Sequence, residues 1–532
     1  MITARPNVCD SVSDPDLRIM NPPARVIFIG IDAAESSLIQ SWTEAGVMPS
    51  LAAISRDSLH GTTFNPPGIY TGSVWPSFHT GLQPGRHGRY FYRQLEQGTY
   101  RTSPFPASRL PAAPFWSQLD RHKRKVAIID LPKAPLVKLE SGIQLTDWGL
   151  HDPDGPPCSS PATLSAEITA RFGKDPVGSC DLAMRSKGGV AGLRDRLIER
   201  TQRKTDIILH LLARGSWDLF ATAYGDSHCA GHQFWSLHDP SHPRHDANLV
   251  KTLGGDPLRD VYAAIDKGIG EILSAAGPEA TVIVFASHGM GAHYDGTFML
   301  DEILRRLEGI TADAGTGKLR KLQALWQKMP AGLRSRLMPV SDRFYDGWAG
   351  RDRSTRKCFL VPTNDNCAGI RVNLIGREPS GIVQPGAEFD AFCDSLESDL
   401  TEIINVETGR PLVHEVLRTA EEFPGEHQGG LPDLLIRWDR GAPVRKVASD
   451  KIGNLEREYG GIRTGDHRNP GRFYACGPGI VAGELAGSVA VTDFAPTIAA
   501  LLDVELPDVD GKPIASLCGA NPEEHERDTA GT

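Results

Sequence analysis

A chain of 532 residues is long enough for a large core, and 40% hydrophobic with 23% charged residues is the composition of an ordinary globular protein. A formal net charge of −9 argues against a nucleic-acid-binding surface, but not against a phosphorylated small substrate, which needs only local positive charge. Nine cysteines without a C-x-x-C pair read as reduced thiols of a cytoplasmic protein, and no window is apolar enough to span a membrane.

Residues 1–24 lack a basic start and an apolar core, and read as a disordered tail; residues 518–532 read as a flexible one. RVIFIG at 25–30 is β-branched and aromatic and predicts a buried strand ending at Ile31-Asp32. Taken alone, Asp32 at that exit is either a metal ligand or a helix-capping carboxylate. Helical patterns follow over 36–46 and 49–59. The Gly-, Pro- and Ser/Thr-rich stretch over 63–92 reads as loops around a helix at 74–80, with Thr71 and Ser73 as candidate hydroxyls near its start. A helix N-terminus there favours an alkoxide and an anionic phosphate, although plain capping is the ordinary role of such a residue.

A helix over 113–121 precedes a second buried strand, KVAIIDL at 125–131; the Pro-rich stretch 132–161 reads as loop, with Trp148 and His151 as pocket linings. An amphipathic helix over 193–214 feeds the apolar run 217–224, which reads as another strand. Directly after it, His228, His232, His238, His242 and His245 fall within 18 residues, interleaved with Asp226, Asp239 and Asp246. Ligand-type residues at the carboxyl end of a strand are where an open α/β sheet places its active site, and imidazole with carboxylate suits Zn or a similar dication. A solvated polar loop is the plainer alternative. A helix over 262–276 and the strand ATVIVFA at 280–286 follow, the latter ending in SHGMGAHYDG.

This alternation predicts an α/β fold: a doubly wound, mainly parallel sheet with helices on both faces. Residues from about 300 to 357 turn basic and amphipathic and read as an inserted cap, and a strand is expected over 369–374. A helix over 389–403, a strand over 434–438, a Gly-rich loop over 460–472 containing His467, and a helix over 493–502 complete the chain.

GID at 30–32, TGSVWPSFHTGLQPGRHG at 71–88, DSHCAGH at 226–232, SHGMG at 287–291, GDH at 465–467 and DFAPT at 493–497 stand in the order and rough spacing of the alkaline phosphatase superfamily. The chain most resembles its type I phosphodiesterase/nucleotide pyrophosphatase branch, and NLIGREPSG at 373–381 and PDLLIRW at 432–438 add to the likeness. The resemblance implies an alkaline phosphatase-like catalytic domain over 25–517 with a cap at about 300–370. It also implies two divalent ions, usually Zn with Mn or Mg as alternatives, and a small phosphorylated substrate. Asp226, His232 and His467 match the ligands of one ion; Asp32, His288 and Thr71 match those of the other. Thr71 lies nine residues before Thr80-Gly81, the nucleophile's spacing in this branch, whereas Ser73 stands where relatives often carry Pro.

Two departures stand out. Ser287 occupies the place of an Asp, and a neutral hydroxyl binds a dication more weakly, so Glu35 and Asp295 are candidate helpers. The family's Asp-to-His spacing of four is six from Asp226 to His232, but four from His228. Asp226 is preferred because a carboxylate offsets dication charge better, with His228 the alternative. The implied chemistry is in-line attack by Thr71, a phosphothreonine intermediate and its hydrolysis. Phosphomonoester or phosphonate hydrolysis is the neighbouring reading, and a catalytically decayed metal-binding protein is the reading from another class. The sulfatase pattern C/S-x-P-x-R is not met by SVWPS at 73–77. Nothing in the sequence speaks to oligomeric state.

Overall fold

The computed structural model describes residues 25–185, 188–310, 352–364 and 366–518. The tail expected at 1–24, residues 519–532 of the tail expected at 518–532, and the basic stretch 311–351 of the expected cap lie outside the described residues. Nine strands form the main sheet, in the order Gly483–Ala490, Leu59–Phe64, Gly471–Cys476, Ala280–Ala286, Arg25–Ile31, Leu219–Tyr224, Val126–Ile129, Ile143–Thr146 and Cys158–Ser160. The five from Ala280–Ala286 to Ile143–Thr146 run parallel, while Gly471–Cys476 and Cys158–Ser160 join them antiparallel. The central strands are apolar without alternation because helices cover both of their faces. Along the first strand, Ile27, Ile29 and Ile31 enter one core while Val26 and Phe28 enter the other. Each such side chain contributes about 1.5–3 kcal/mol by leaving water.

A second, antiparallel sheet of Cys358–Val361, Cys367–Val372, Leu434–Trp438 and Val413–Arg418 packs against helices Thr297–Leu307 and Ala387–Thr401. Its own core includes Met299, Ile303, Ile370, Leu396 and Ile436. This second sheet and its two helices lie within residues 297–438, a longer stretch than the inserted cap expected at about 300–370. No helix among the described residues is long and apolar enough to cross a membrane.

Three local expectations give way. The segment 132–161 contains the strands Ile143–Thr146 and Cys158–Ser160, and 460–472 contains Gly465–Arg468 and the start of Gly471–Cys476. The helix at 49–59 stops at Arg56, and its tail becomes the strand Leu59–Phe64. These strands are short and partly polar, so ladder hydrogen bonds to their neighbours hold them rather than an apolar pattern of their own. The histidine-rich stretch is a helix, Asp226–His238, for most of its length.

Candidate active site

Ile31 stands in register with Tyr224 on one side and with Ala286 on the other. Three adjacent parallel strands thus end together and deliver Asp32, Asp226 and Ser287-His288 to one edge of the sheet. A small ladder between Gly289–Ala292 and Gly465–Arg468 sets Met290 opposite His467, and brings His467 Nδ1 to 2.9 Å from His288 Nε2. Helix Asp226–His238 starts where its strand stops. Its i, i+4 spacing puts His228 and His232 on one face, with their Nε2 atoms 3.1 Å apart.

Helix Tyr70–Thr80 starts four residues before the expected 74, so Thr71 lies inside its first turn. Gly72 is required beside it, since a Cβ there would fall 1.8 Å from the Tyr90 carbonyl oxygen. Thr71 Oγ1 donates to Asn366 Oδ1 at 3.4 Å, a contact supplied by the inserted unit. Asp32, Thr71, His228, His232, Asp466 and His467 line one cleft of about 230 Å³.

Asp32 is fully engaged. Its Oδ1 accepts from Trp75 Nε1 at 2.7 Å and from Ser287 Oγ at 3.3 Å, and its Oδ2 accepts from His228 Nδ1 at 2.7 Å. Burial pushes its pKa up, but His228, His288 and the Trp75 indole outweigh burial and hold the carboxyl well below its usual range. His232 Nδ1 donates to the Gly465 carbonyl at 2.8 Å, which leaves its Nε2 lone pair facing the cluster. Burial lowers the pKa of all four imidazoles: His288 to about 4, His228 with help from His151, His232 with help from Arg463, and His467 with help from the other three. They are therefore neutral near pH 7, the form that ligates metals. Asp466 Oδ2 is buried, with no hydrogen-bond partner among the described residues, and His232, Asp466 and His467 offer ligand atoms within 4.8 Å of one another. The charged neighbour of Asp466 is Arg440, with Nη2 3.9 Å away and beyond hydrogen-bond reach. A carboxylate oxygen without a hydrogen bond beside neutral imidazoles is donor chemistry a divalent cation satisfies, so these residues fit the ion that the sequence implies.

Asp226 is not part of this set. The first residue of its helix, it does not line the cleft, and its wholly buried Oδ1 accepts from Arg200 Nε at 2.7 Å, while its Oδ2 makes no hydrogen bond among the described residues. The alternative, His228, holds the position facing His232. Ser73 is buried, and its hydroxyl donates to the Ile69 carbonyl within its own helix. Glu35 caps the helix Ser36–Glu44 through Ser37 and accepts from the Met290 backbone N–H, so it does not aid the cluster. Asp295 Oδ1 accepts from the Thr297 backbone N–H at 2.8 Å, and its Oδ2 pairs with His293 at 2.6 Å. Ser287 lies inside the site, 3.0 Å from His288 Nδ1. The other clustered histidines are structural: His238 binds Asp256, His242 stacks on Tyr294, and His245 reaches the Ser236 carbonyl. Asn366, Asp466 and Arg89 escape the sequence reading, although GDH at 465–467 already contains Asp466.

A family model described as type I phosphodiesterase / nucleotide pyrophosphatase matches residues 26–461. Among solved structures, an inactive form of murine ectonucleotide pyrophosphatase / phosphodiesterase 5 in complex with AMP is 12% identical at a TM-score of 0.49, over 92% of this chain and 97% of that one. Phosphonoacetate hydrolase from Sinorhizobium meliloti 1021, in complex with phosphonoformate, is 13% identical at a TM-score of 0.47, over 94% and 95%. No curated protein sequence matches the chain.

Proposed function

The chain belongs to the type I phosphodiesterase / nucleotide pyrophosphatase family, and from that premise we propose that it hydrolyses a small phosphoester, with Thr71 as nucleophile and a divalent cation held by His228, His232, His467 and Asp466. The observation that carries this reading is the meeting of Thr71, the imidazoles and Asp466 in one cleft, from segments distant in the chain. When bound, the cation supplies positive charge against the charge developing on the phosphoryl oxygens and favours deprotonation of an oxygen nucleophile.

Side chains do the rest. Thr71 sits in the first turn of an eleven-residue helix, whose positive end favours both an alkoxide and a bound phosphoryl group. Asn366 holds the hydroxyl in place. In-line attack by Oγ1 on phosphorus breaks the ester bond, and water then releases the phosphoryl group from Thr71. Arg89 lines the cleft at 1% exposure with Nε and Nη1 unpartnered among the described residues, and Lys133 and Arg463 line it as well. These cations suit an anionic substrate, a phosphodiester first and a phosphonate or phosphomonoester next. A reducing, cytoplasmic setting suits the buried free thiols of Cys180, Cys229, Cys358, Cys367 and Cys393.

One observation favours a second reading: Ser287 stands for a carboxylate and Asp32 is saturated by hydrogen bonds, as on a metal-binding scaffold that no longer turns over. Hydrolysis of bis-p-nitrophenyl phosphate with metal analysis separates the two. Thr71→Ala should keep fold and metal but lose at least about 100-fold in turnover, the usual order for a lost nucleophile. Near wild-type turnover in that variant removes Thr71 from its role. Stoichiometric metal without turnover in the wild type favours the decayed scaffold.

A further inference from the structure

Behind the wall of the cleft, two thiols and an imidazole converge. Cys180 opens the helix Cys180–Met184, Cys229 belongs to the helix Asp226–His238, and they are 2% and 0% exposed. His151, from the loop after the strand Ile143–Thr146, places Nδ1 3.3 Å from Cys229 Sγ and 3.6 Å from Cys180 Sγ. All three ligand atoms lie within 4.8 Å of one another. We infer that Cys180, Cys229 and His151 form a thiolate–imidazole site for a zinc ion, separate from the hydrolytic cluster and independent of the hydrolase reading.

The edge lengths support an ion. With Zn–N of about 2.0 Å and Zn–S of about 2.3 Å at tetrahedral angles, the N···S edge is about 3.5 Å. The two observed separations, 3.3 and 3.6 Å, straddle that value. One ring nitrogen makes a directed hydrogen bond to one sulfur, whereas one ion satisfies both. The other ring nitrogen, Nε2, is 3.1 Å from Asp152 Oδ2, the carboxylate–histidine arrangement that orients ligand imidazoles. His151 also lines the hydrolytic cleft: its ring stacks on His228 with centroids 3.9 Å apart, and one of its ring nitrogens lies within 4.8 Å of ligand nitrogens of His228 and His232. The two centres thus share a wall.

Charge fits too. Arg200 donates to Asp226 through Nε and to Cys229 Sγ through Nη2 at 3.3 Å, so the buried guanidinium already has its counter-charge. Two thiolates and a dication sum to zero and add no net charge to the interior. Each thiol releases its proton to solvent on ligation, and three protein donors leave a fourth position for water.

The test uses the full-length chain, stripped with a chelator and reloaded with Co(II) or Zn(II). The expected result is a thiolate-to-cobalt charge-transfer band, with sulfur scatterers at about 2.3 Å in zinc-edge absorption. Cys180→Ser and Cys229→Ser should each lose the band and about one equivalent of zinc, as expected for loss of a ligand at a single-ion site. His467→Ala, which removes a ligand of the hydrolytic cluster, should keep the band; this separates failure of the thiolate site from failure of the hydrolase reading. Cobalt bound without the band, zinc bound through nitrogen and oxygen alone, or a Cys180–Cys229 disulfide in natively isolated protein would each overturn the proposal. The wild-type spectra decide the matter even where a serine variant fails to fold.

Discussion

Replacing Asp32 by Asn tests how the histidine cluster is oriented. The Asp32 carboxylate receives Trp75 Nε1 and Ser287 Oγ on one oxygen and His228 Nδ1, at 2.7 Å, on the other. The last bond keeps the proton on Nδ1 and turns the Nε2 lone pair toward His232, 3.1 Å away. Asn has the right size but only one acceptor oxygen. Its amide nitrogen must face either the Trp75 and Ser287 donors, or His228, where it forces the other tautomer. Losing such an orienting partner costs about 10–100-fold in metal affinity, or about 1.4–2.7 kcal/mol. Zinc competition against a chelator reads this in the Cys180→Ser background, where only the hydrolytic cluster contributes. Because His228 and His288 overcome burial and hold Asp32 below the usual carboxylate range, the effect should be constant across neutral pH. Unchanged affinity would refute the orienting role. A loss beyond about 1,000-fold, well outside the range for an orienting partner, would show that Asp32 is itself a ligand.

Asp226→Asn should lower thermal stability, because the buried Arg200 loses its 2.7 Å carboxylate partner, by about 3 kcal/mol or more in urea unfolding. It should leave zinc affinity at the cluster unchanged; a large fall in affinity would restore Asp226 as a ligand. Acidification should destabilise the protein through His79 and His87, which burial, with Arg89 nearby, pushes down to about 3. Above the ordinary value of 6.5 neither state binds these protons; below it only the unfolded chain does. Stability should therefore fall from pH 6.5 toward 3, by about 1.4 kcal/mol per residue per pH unit. Urea midpoints that stay flat from neutrality to about pH 5 would contradict this linkage.

What the sequence makes legible is what burial alone dictates. Arg25–Ile31, Leu219–Tyr224 and Ala280–Ala286 are lined by core on both faces and are apolar but for Arg25 and the buried Thr222 and Thr281, so their ends, and the ligand-type residues just past them, stand out. Gly465–Arg468 does not stand out: it is a short polar strand held by pairing with Gly289–Ala292, and no local pattern announces that pairing. In the sequence the choice between Asp226 and His228 turns on charge, whereas helix geometry favours His228. A residue four before His232 shares its face, while Asp226 sits where the helix turns toward Arg200. Asn366 meets Thr71 across 295 positions, and Cys229 meets His151 across 78. Contacts at such separation leave no spacing to read.

Ser287 and His228, the two departures from the family pattern, act in one direction. Each puts a neutral group where the pattern carries a carboxylate, so the carboxylates within the histidine cluster are Asp32 and Asp466, with His228, His232, His288 and His467 kept neutral by burial, while the cleft's third carboxylate, Asp152, pairs with His151 Nε2 at 3.1 Å. Two negative charges balance one dication. A second, in the absence of substrate, would leave an uncompensated double charge, because Lys133 and Arg463 on the cleft wall are already paired with Asp154 and Asp181, and unbalanced buried charge costs several kcal/mol. It would also have to break the three hydrogen bonds that occupy Asp32. Zinc analysis of the Cys180→Ser chain should accordingly find one tightly held ion, with nitrogen and oxygen ligands only. Two such ions per chain would mean that Asp32 gives up His228 to bind metal directly, and that the charge argument is wrong.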